Sequence, residues 1–302
     1  MRARYVLGMP PLCMEFYMTR LPIIAAALFL LAGLTSCSSG CLSLFVPKAE
    51  QIDSPIVDDL RKDPDEAQSF DHSDYGELLE RHVDYDTARV DYAGLKADEA
   101  ELDAYLDRLA KADLTELDDD GELALLINAY NAYTLKLIVE NYPGLESIKD
   151  LDNPWKTKRY KVAGYTLSLD DIEHGLIRPI YKDSRIHFAV NCASVGCPPL
   201  ASWPYEGAKI DKQLDQAAER TLGDERYARV EGDKLYLTSV MNWYRPDFVS
   251  DEFSPSAESL PLYAAKYGGE EVQKLVETRE GEPAVSFLKY DWALNDVEGA
   301  RE

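Results

Sequence analysis

The run from Glu122 to Glu140 limits what this chain can become, because nearly every turn of it is apolar on all sides: Leu123, Leu125, Leu126, Ile127, Leu135, Leu137, Ile138 and Val139. A helix with no polar face cannot lie on a surface, so this one is expected in the middle of a domain with other elements around it. Asn128 and Asn131 are set into it three apart, hence on one face. Asparagine is a mediocre helix former, and a buried carboxamide without partners costs about 1–3 kcal/mol. Those amides must therefore be bonded, either tying a neighbouring loop in place or facing a cleft as substrate-binding donors. Asn141-Tyr-Pro-Gly144 ends the helix.

The remaining elements are shorter. A helical pattern at Tyr75 to His82 leads into two short strands, Val83-Asp-Tyr85 and Arg89-Val-Asp-Tyr92, and Leu102, Tyr105, Leu106 and Leu109 recur as on an amphipathic surface helix. Tyr160 to Leu167 reads as a hairpin turning at Ala163-Gly164. Ser168 with Asp171 forms a capping box, predicting a helix from Leu169 to about Arg178 that Pro179 stops. On it Glu173 and His174 are about 100° apart, so they cannot point the same way, whereas His174 and Arg178 share a face. A helix around Ile210 to Ala218 and a hairpin turning at Glu231-Gly-Asp233 follow, then a loop at Asn242-Trp-Tyr244. Trp243 offers an apolar face with a polar tip there, suited to substrate contact or to closing the core. Helical patterns at Ala257 to Lys266 and Glu271 to Thr278 precede a strand or extended edge over Val285 to Trp292. The fold class is α+β, with helices packed around a small, mainly antiparallel sheet.

Chemistry concentrates between Arg185 and Leu200. Ile186, Phe188 and Val190 alternate with His187, Ala189 and Asn191 as on a half-buried strand, which breaks into Ala-Ser-Val-Gly, Cys197 and Pro198-Pro199. One histidine and two cysteines thus fall at a strand end and in the loop after it, where scaffolds display reactive groups. A small disulfide between Cys192 and Cys197, or plain packing, is the competing reading.

Net charge is strongly acidic, with 55 Asp and Glu against 32 Lys and Arg. Phosphate backbones would be repelled, so nucleic acid is excluded as a partner. After Met18-Thr-Arg20, Leu21 to Leu34 is apolar but too short to span a bilayer, and it ends in Leu34-Thr-Ser-Cys37. This resembles a bacterial lipoprotein signal. The resemblance implies a signal peptide over residues 1–36, lipidation of Cys37 and an envelope location, with Ser38 pointing to the outer membrane, facing the periplasm. Met18 is then a candidate true start, which leaves Cys13 untranslated. Residues 37–68 suit a flexible tether, in which Cys41 lies, and residues 69–302 the globular domain. An oxidising compartment keeps a Cys192–Cys197 bridge in contention.

Ile127-Asn-Ala-Tyr-Asn-Ala132, Leu169-Asp-Asp-Ile-Glu-His174 with Arg178, Ile186-His-Phe-Ala-Val-Asn-Cys-Ala-Ser-Val-Gly-Cys-Pro198, Asn242-Trp-Tyr-Arg-Pro-Asp-Phe248 and Tyr290-Asp-Trp-Ala-Leu-Asn295 together resemble the DUF547 family, from about Tyr75 to Asn295. The family carries no assigned reaction. The domain is further similar to papain-like and transglutaminase-like thiol enzymes, in which the nucleophilic cysteine starts a buried helix. Here the matching helix carries Asn128 and Asn131 instead, so either the thiol has moved to Cys192 or Cys197, or the active site has been lost.

A thiol nucleophile needs a base within reach and a third group to orient it. On a regular strand His187 and Cys192 face opposite ways, so a direct pair requires a break at Asn191. His174 is the alternative base, with Glu173 or Asn128 as orienter. The spacing of His174, His187, Cys192 and Cys197 matches no zinc motif, and no phosphate loop or serine elbow occurs, so no metal or cofactor is expected. Two function classes remain. One is a lipid-tethered thiol hydrolase or transferase acting on amide or ester bonds of peptide or cell-wall material; the other is a binding or assembly module of the envelope.

Overall fold

A computed structural model describes residues 48–62 and 64–298. The chain divides into two units, Met1–Gly40 and Cys41–Glu302, and the description concerns the second. The expected signal peptide, Met18, Cys13, the expected lipidation site Cys37, Cys41 and the first part of the expected tether lie outside the described residues. Among the described residues no helix is long and apolar enough to cross a membrane.

The central helix runs Asp119–Asn141, and Asp118 caps it by accepting from the Gly121 amide at 2.8 Å. It is buried along nearly its whole length, as its lack of a polar face requires. Helices Tyr92–Ala97, Glu99–Leu109 and Ile210–Leu222 pack around it. The hairpin Tyr160–Val162 with Tyr165–Leu167 is antiparallel, and Ala163 and Gly164 both take positive φ at its tip. A second hairpin pairs Ala228–Glu231 with Lys234–Leu237, and Ala284–Phe287 adds to it in parallel. The fold is α+β, with small, mainly antiparallel sheets. From Leu288 the chain leaves the sheet and crosses back, with Ala293 and Asp291 carbonyls accepting from the amides of Val195 and Gly196.

Two apolar cores result. One surrounds the central helix; the other collects Leu222, Leu237, Met241, Phe248, Leu260 and Tyr263. The expected strand at Arg185–Asn191 is instead a 3-10 helix, Ser184–Phe188. Ile186 enters the first core and Phe188 the second. The apolar alternation thus marks a segment shared between two cores rather than one face of a sheet.

Three other expectations are corrected. Pro179 does not stop its helix: a π-helix, Asp171–Ile177, continues as Arg178–Tyr181. Proline has no N–H to offer the Gly175 carbonyl, and the amide of Ile52 donates to that oxygen at 3.1 Å. The tether is consequently docked from Ile52 onward, with Ile56, Val57 and Leu60 buried in the first core. Its apolar residues are too few and too closely spaced to show a sequence period. Asn242 and Trp243 lie in a short helix, Ser239–Trp243, capped by Thr238, rather than in a loop.

Candidate active site

The segment that carries the cysteines is fixed from both sides. Asn131 donates to the Ala189 carbonyl at 2.9 Å and accepts from the Asn191 amide at 2.9 Å. Asn191 in turn accepts from the Ala193 amide at 2.7 Å and donates to the Pro198 carbonyl at 2.8 Å. Asn128 makes the same two-way clamp on the backbone of Tyr205. The carboxamides of Asn128 and Asn131 are therefore both used in holding backbone, and neither lines the cavity described below. The expected substrate-binding role for Asn128 and Asn131, and that of orienter for Asn128, give way to loop anchoring.

Across the turn, Ala193 takes a left-handed φ of 62°, and the Cys197 amide donates to the Ser194 carbonyl at 3.0 Å. At Gly196 a Cβ would meet the Asp291 backbone N at 2.8 Å, so only glycine lets the two strands of chain approach this closely. The loop thereby brings the two sulfurs to 2.7 Å of each other as free thiols. The Tyr290 hydroxyl lies 3.0 Å from Cys192 Sγ and 3.1 Å from Cys197 Sγ, and the Cys192 amide donates to Cys197 Sγ at 3.0 Å. The pair is asymmetric. Cys192 is partly exposed, and hydrogen bonds from Cys197, Tyr290 and Ser194 hold its thiol below the ordinary value despite burial. Burial and the neighbouring sulfur push Cys197 well above it.

Cys192, Cys197, Glu173, His174, His187 and Trp243 all line one cavity of about 620 Å³, with Tyr130, Tyr244 and Tyr290 among the other walls. Glu173 and His174 both reach it, contrary to the 100° separation of an α-helix, because the wider π turn rotates less per residue. Both are buried.

Behind the wall runs a charged network. Arg178 grips Asp247 with two bonds, Nε to Oδ2 at 2.8 Å and Nη2 to Oδ1 at 3.0 Å. Asp247 Oδ2 also accepts from His187 Nε2 at 2.7 Å. An ionised carboxylate only accepts, so the proton of that imidazole sits on Nε2, and Nδ1 is a buried lone pair with no bonding partner among the described residues. The His187 ring stacks on Tyr244 at 3.9 Å. Burial lowers His187 below the ordinary imidazole value even though Asp247 opposes the shift, which keeps the ring neutral at neutral pH. Asp247 itself is disfavoured as a charge by burial, but His187 and Arg178 outweigh that and hold it low.

His174 Nδ1 accepts from Arg178 Nη1 at 3.1 Å, since a guanidinium only donates. Glu173 does not orient His174 by a hydrogen bond: its Oε1 is 3.6 Å from His174 Nδ1 and instead accepts from the Tyr244 hydroxyl at 3.1 Å. Burial works against the Glu173 charge, and His174, His187 and Arg178 overcome it to leave the carboxyl below its usual value. No hydrogen bond joins either sulfur to either imidazole among the described residues.

Asp247, Tyr244 and Tyr290 lie in the segments Asn242–Phe248 and Tyr290–Asn295 that resemble the family, but the sequence by itself assigns none of them a role at the site. The available signal for Asp247 was Arg245-Pro-Asp247, which starts the Arg245–Val249 helix with proline in its first turn.

Residues 114–222 match the model of a family described as a protein of unknown function, DUF547. That span holds Glu173, His174, His187, Cys192 and Cys197; Trp243, Asp247 and Tyr290 lie beyond it. No curated protein and no solved structure matches the chain. The central helix, the π-turn and the cysteine loop all fall inside the matched span, so it is this segment, residues 114–222, that is similar to the DUF547 family.

Proposed function

We propose that this is a lipid-anchored envelope protein whose domain performs thiol-dependent acyl transfer, hydrolysing or exchanging an amide or ester of peptide or cell-wall material. The observation that carries it is His187, held by Asp247 at Nε2 with Nδ1 unpaired, on the wall of the cavity that also admits Cys192. In this reading Cys192 Sγ attacks the acyl carbon and its proton passes to His187 Nδ1. The imidazolium, stabilised by Asp247, then protonates the departing amine or alcohol. Water, deprotonated by the same nitrogen, releases the acyl group from sulfur.

The test is a burst of p-nitrophenolate from p-nitrophenyl acetate, with the acyl group mapped to the Cys192 peptide by mass spectrometry. Cys192→Ala and His187→Ala are expected to abolish the burst. A wild-type protein that never acylates Cys192 would sink the reading. It would favour the second one, a binding module, for which the sulfurs' bonding to each other and to Tyr290 rather than to an imidazole speaks. Location is tested separately, by loss of metabolic fatty-acid labelling in Cys37→Ser.

A further inference from the structure

We propose that Cys192 and Cys197 form a reversible disulfide, and that this bond is the off state of the site. The loop itself is the first reason. Asn191 fastens both ends of the turn, Cys197 is bonded back to Ser194, and Val195 and Gly196 are held by Ala293 and Asp291. The backbone is therefore set before any sulfur chemistry, and it leaves the thiols in contact. Closing the bond needs no rearrangement of the loop.

The second reason is the division of labour between the sulfurs. Both sulfurs border the cavity, but Cys192 is the more open of the two, partly exposed where Cys197 is only 5 % exposed. An external disulfide of the glutathione class therefore meets Cys192 first. The Cys192 thiolate attacks one sulfur of that disulfide, forming a mixed disulfide and expelling one thiolate, which takes up a proton. Cys197 then loses its proton to solvent and attacks Cys192 Sγ, expelling the second thiol. Two protein thiols are oxidised and one external disulfide is reduced to two thiols. Burial keeps Cys197 protonated at rest and the Cys192 charge adds to it; once Cys192 is no longer a thiolate that second contribution is gone, which favours the resolving step. Tyr290, bonded to both sulfurs, steadies whichever of them carries charge.

The disulfide stands independently of the acyl-transfer reading; only its role as an off state rests on that reading. The purified full chain is equilibrated in buffers of increasing oxidised-to-reduced glutathione ratio, quenched with acid, alkylated and digested. Peptide mapping separates Cys192 and Cys197 from the other three of the five cysteines. The expected result is that both thiols disappear together in one transition, their peptides joined, and that dithiothreitol restores both. In Cys197→Ser, Cys192 is expected to hold glutathione as a stable adduct. Wild-type protein that keeps both thiols at the most oxidising ratio, or that keeps glutathione on Cys192 beside a free Cys197, overturns the proposal. The oxidised protein is also expected to lose the nitrophenolate burst and regain it with dithiothreitol. If the reduced protein gives no burst at all, the acyl-transfer reading fails while the disulfide result is unaffected.

Discussion

Oδ2 of Asp247 lies 2.7 Å from Nε2 of His187, and this one bond decides which ring nitrogen can act as a base. The same carboxylate is gripped twice by Arg178. Asp247→Asn keeps the shape but removes the charge that stabilises a protonated ring. The burst rate is expected to fall by at least about tenfold. Breaking a buried ion pair from one side costs about 3 kcal/mol, so urea denaturation should show a stability loss of that order. A variant with unchanged burst kinetics would remove His187 from the reaction.

Thiolate character at Cys192 is set by its donors. Because hydrogen bonds from Cys197 and Tyr290 lower this thiol, iodoacetamide labelling of Cys192 is expected to rise at a pH below that of an ordinary cysteine. Tyr290→Phe and Cys197→Ala should each move the inflection upward. Labelling of the wild type that follows an unperturbed thiol would show that these contacts do not persist in solution.

Asn131 links the central helix to the cysteine loop through two bonds to backbone. Asn131→Ala strands a buried carbonyl and a buried amide, so a loss of about 2–4 kcal/mol is expected in chemical denaturation. The loop should loosen as well, and alkylation of the buried Cys197 should accelerate. Asn131→Asp keeps only the acceptor and is expected to fall between wild type and alanine if the two bonds act separately.

Glu122, buried in the first turn of the central helix, has one oxygen bonded to the Tyr181 hydroxyl at 3.0 Å and the other without a partner among the described residues. Burial pushes its carboxyl up to about 8. In the unfolded chain the group ionises near its ordinary value of 4.5, while in the fold it stays neutral until about 8. Its contribution to stability is therefore fully present below about pH 4.5 and is lost as pH rises toward 8. Glu122→Gln, which cannot ionise, is expected to match wild type near pH 4 and to be more stable by on the order of 3 kcal/mol at pH 8. Thermal denaturation across that range checks the sign; a stabilisation independent of pH would contradict it.

A Cβ at Gly175 would stand 2.4 Å from Cγ2 of Ile52. Gly175→Ala is expected to destabilise by about 1–3 kcal/mol, as overpacking does. Ile52→Ala should relieve much of that cost in the double variant. Strictly additive losses would mean that the two residues are not in contact.

The central helix was legible because an all-round apolar run has one solution, burial. Ala163-Gly164 fixed its hairpin through the positive φ that both turn positions need. Ile186, Phe188 and Val190 misled for a physical reason: residues two apart, which a strand would put on one face, are here divided between two cores, Ile186 and Val190 in one and Phe188 in the other, around a short 3-10 turn. The candidate residues Glu173, His174, His187, Cys192, Cys197 and Trp243 do meet at one cavity. What joins the histidine to its partner was not legible, since Asp247 lies 60 residues further along the chain and its approach depends on the packing of Phe248 into the second core. Nor does local sequence say whether an asparagine faces a cleft or a backbone; that follows only from where Tyr205 and Ala189 come to rest.

The bond from Ile52 to Gly175 also bears on how the protein can be cut. Gly175 follows His174 directly, so the incoming segment is stitched to the very wall that presents Glu173 and His174. A fragment trimmed to begin at residue 69 would shed Ile56, Val57 and Leu60 from the core and leave that carbonyl bare. The shortest piece that keeps the wall intact starts ahead of Ile52.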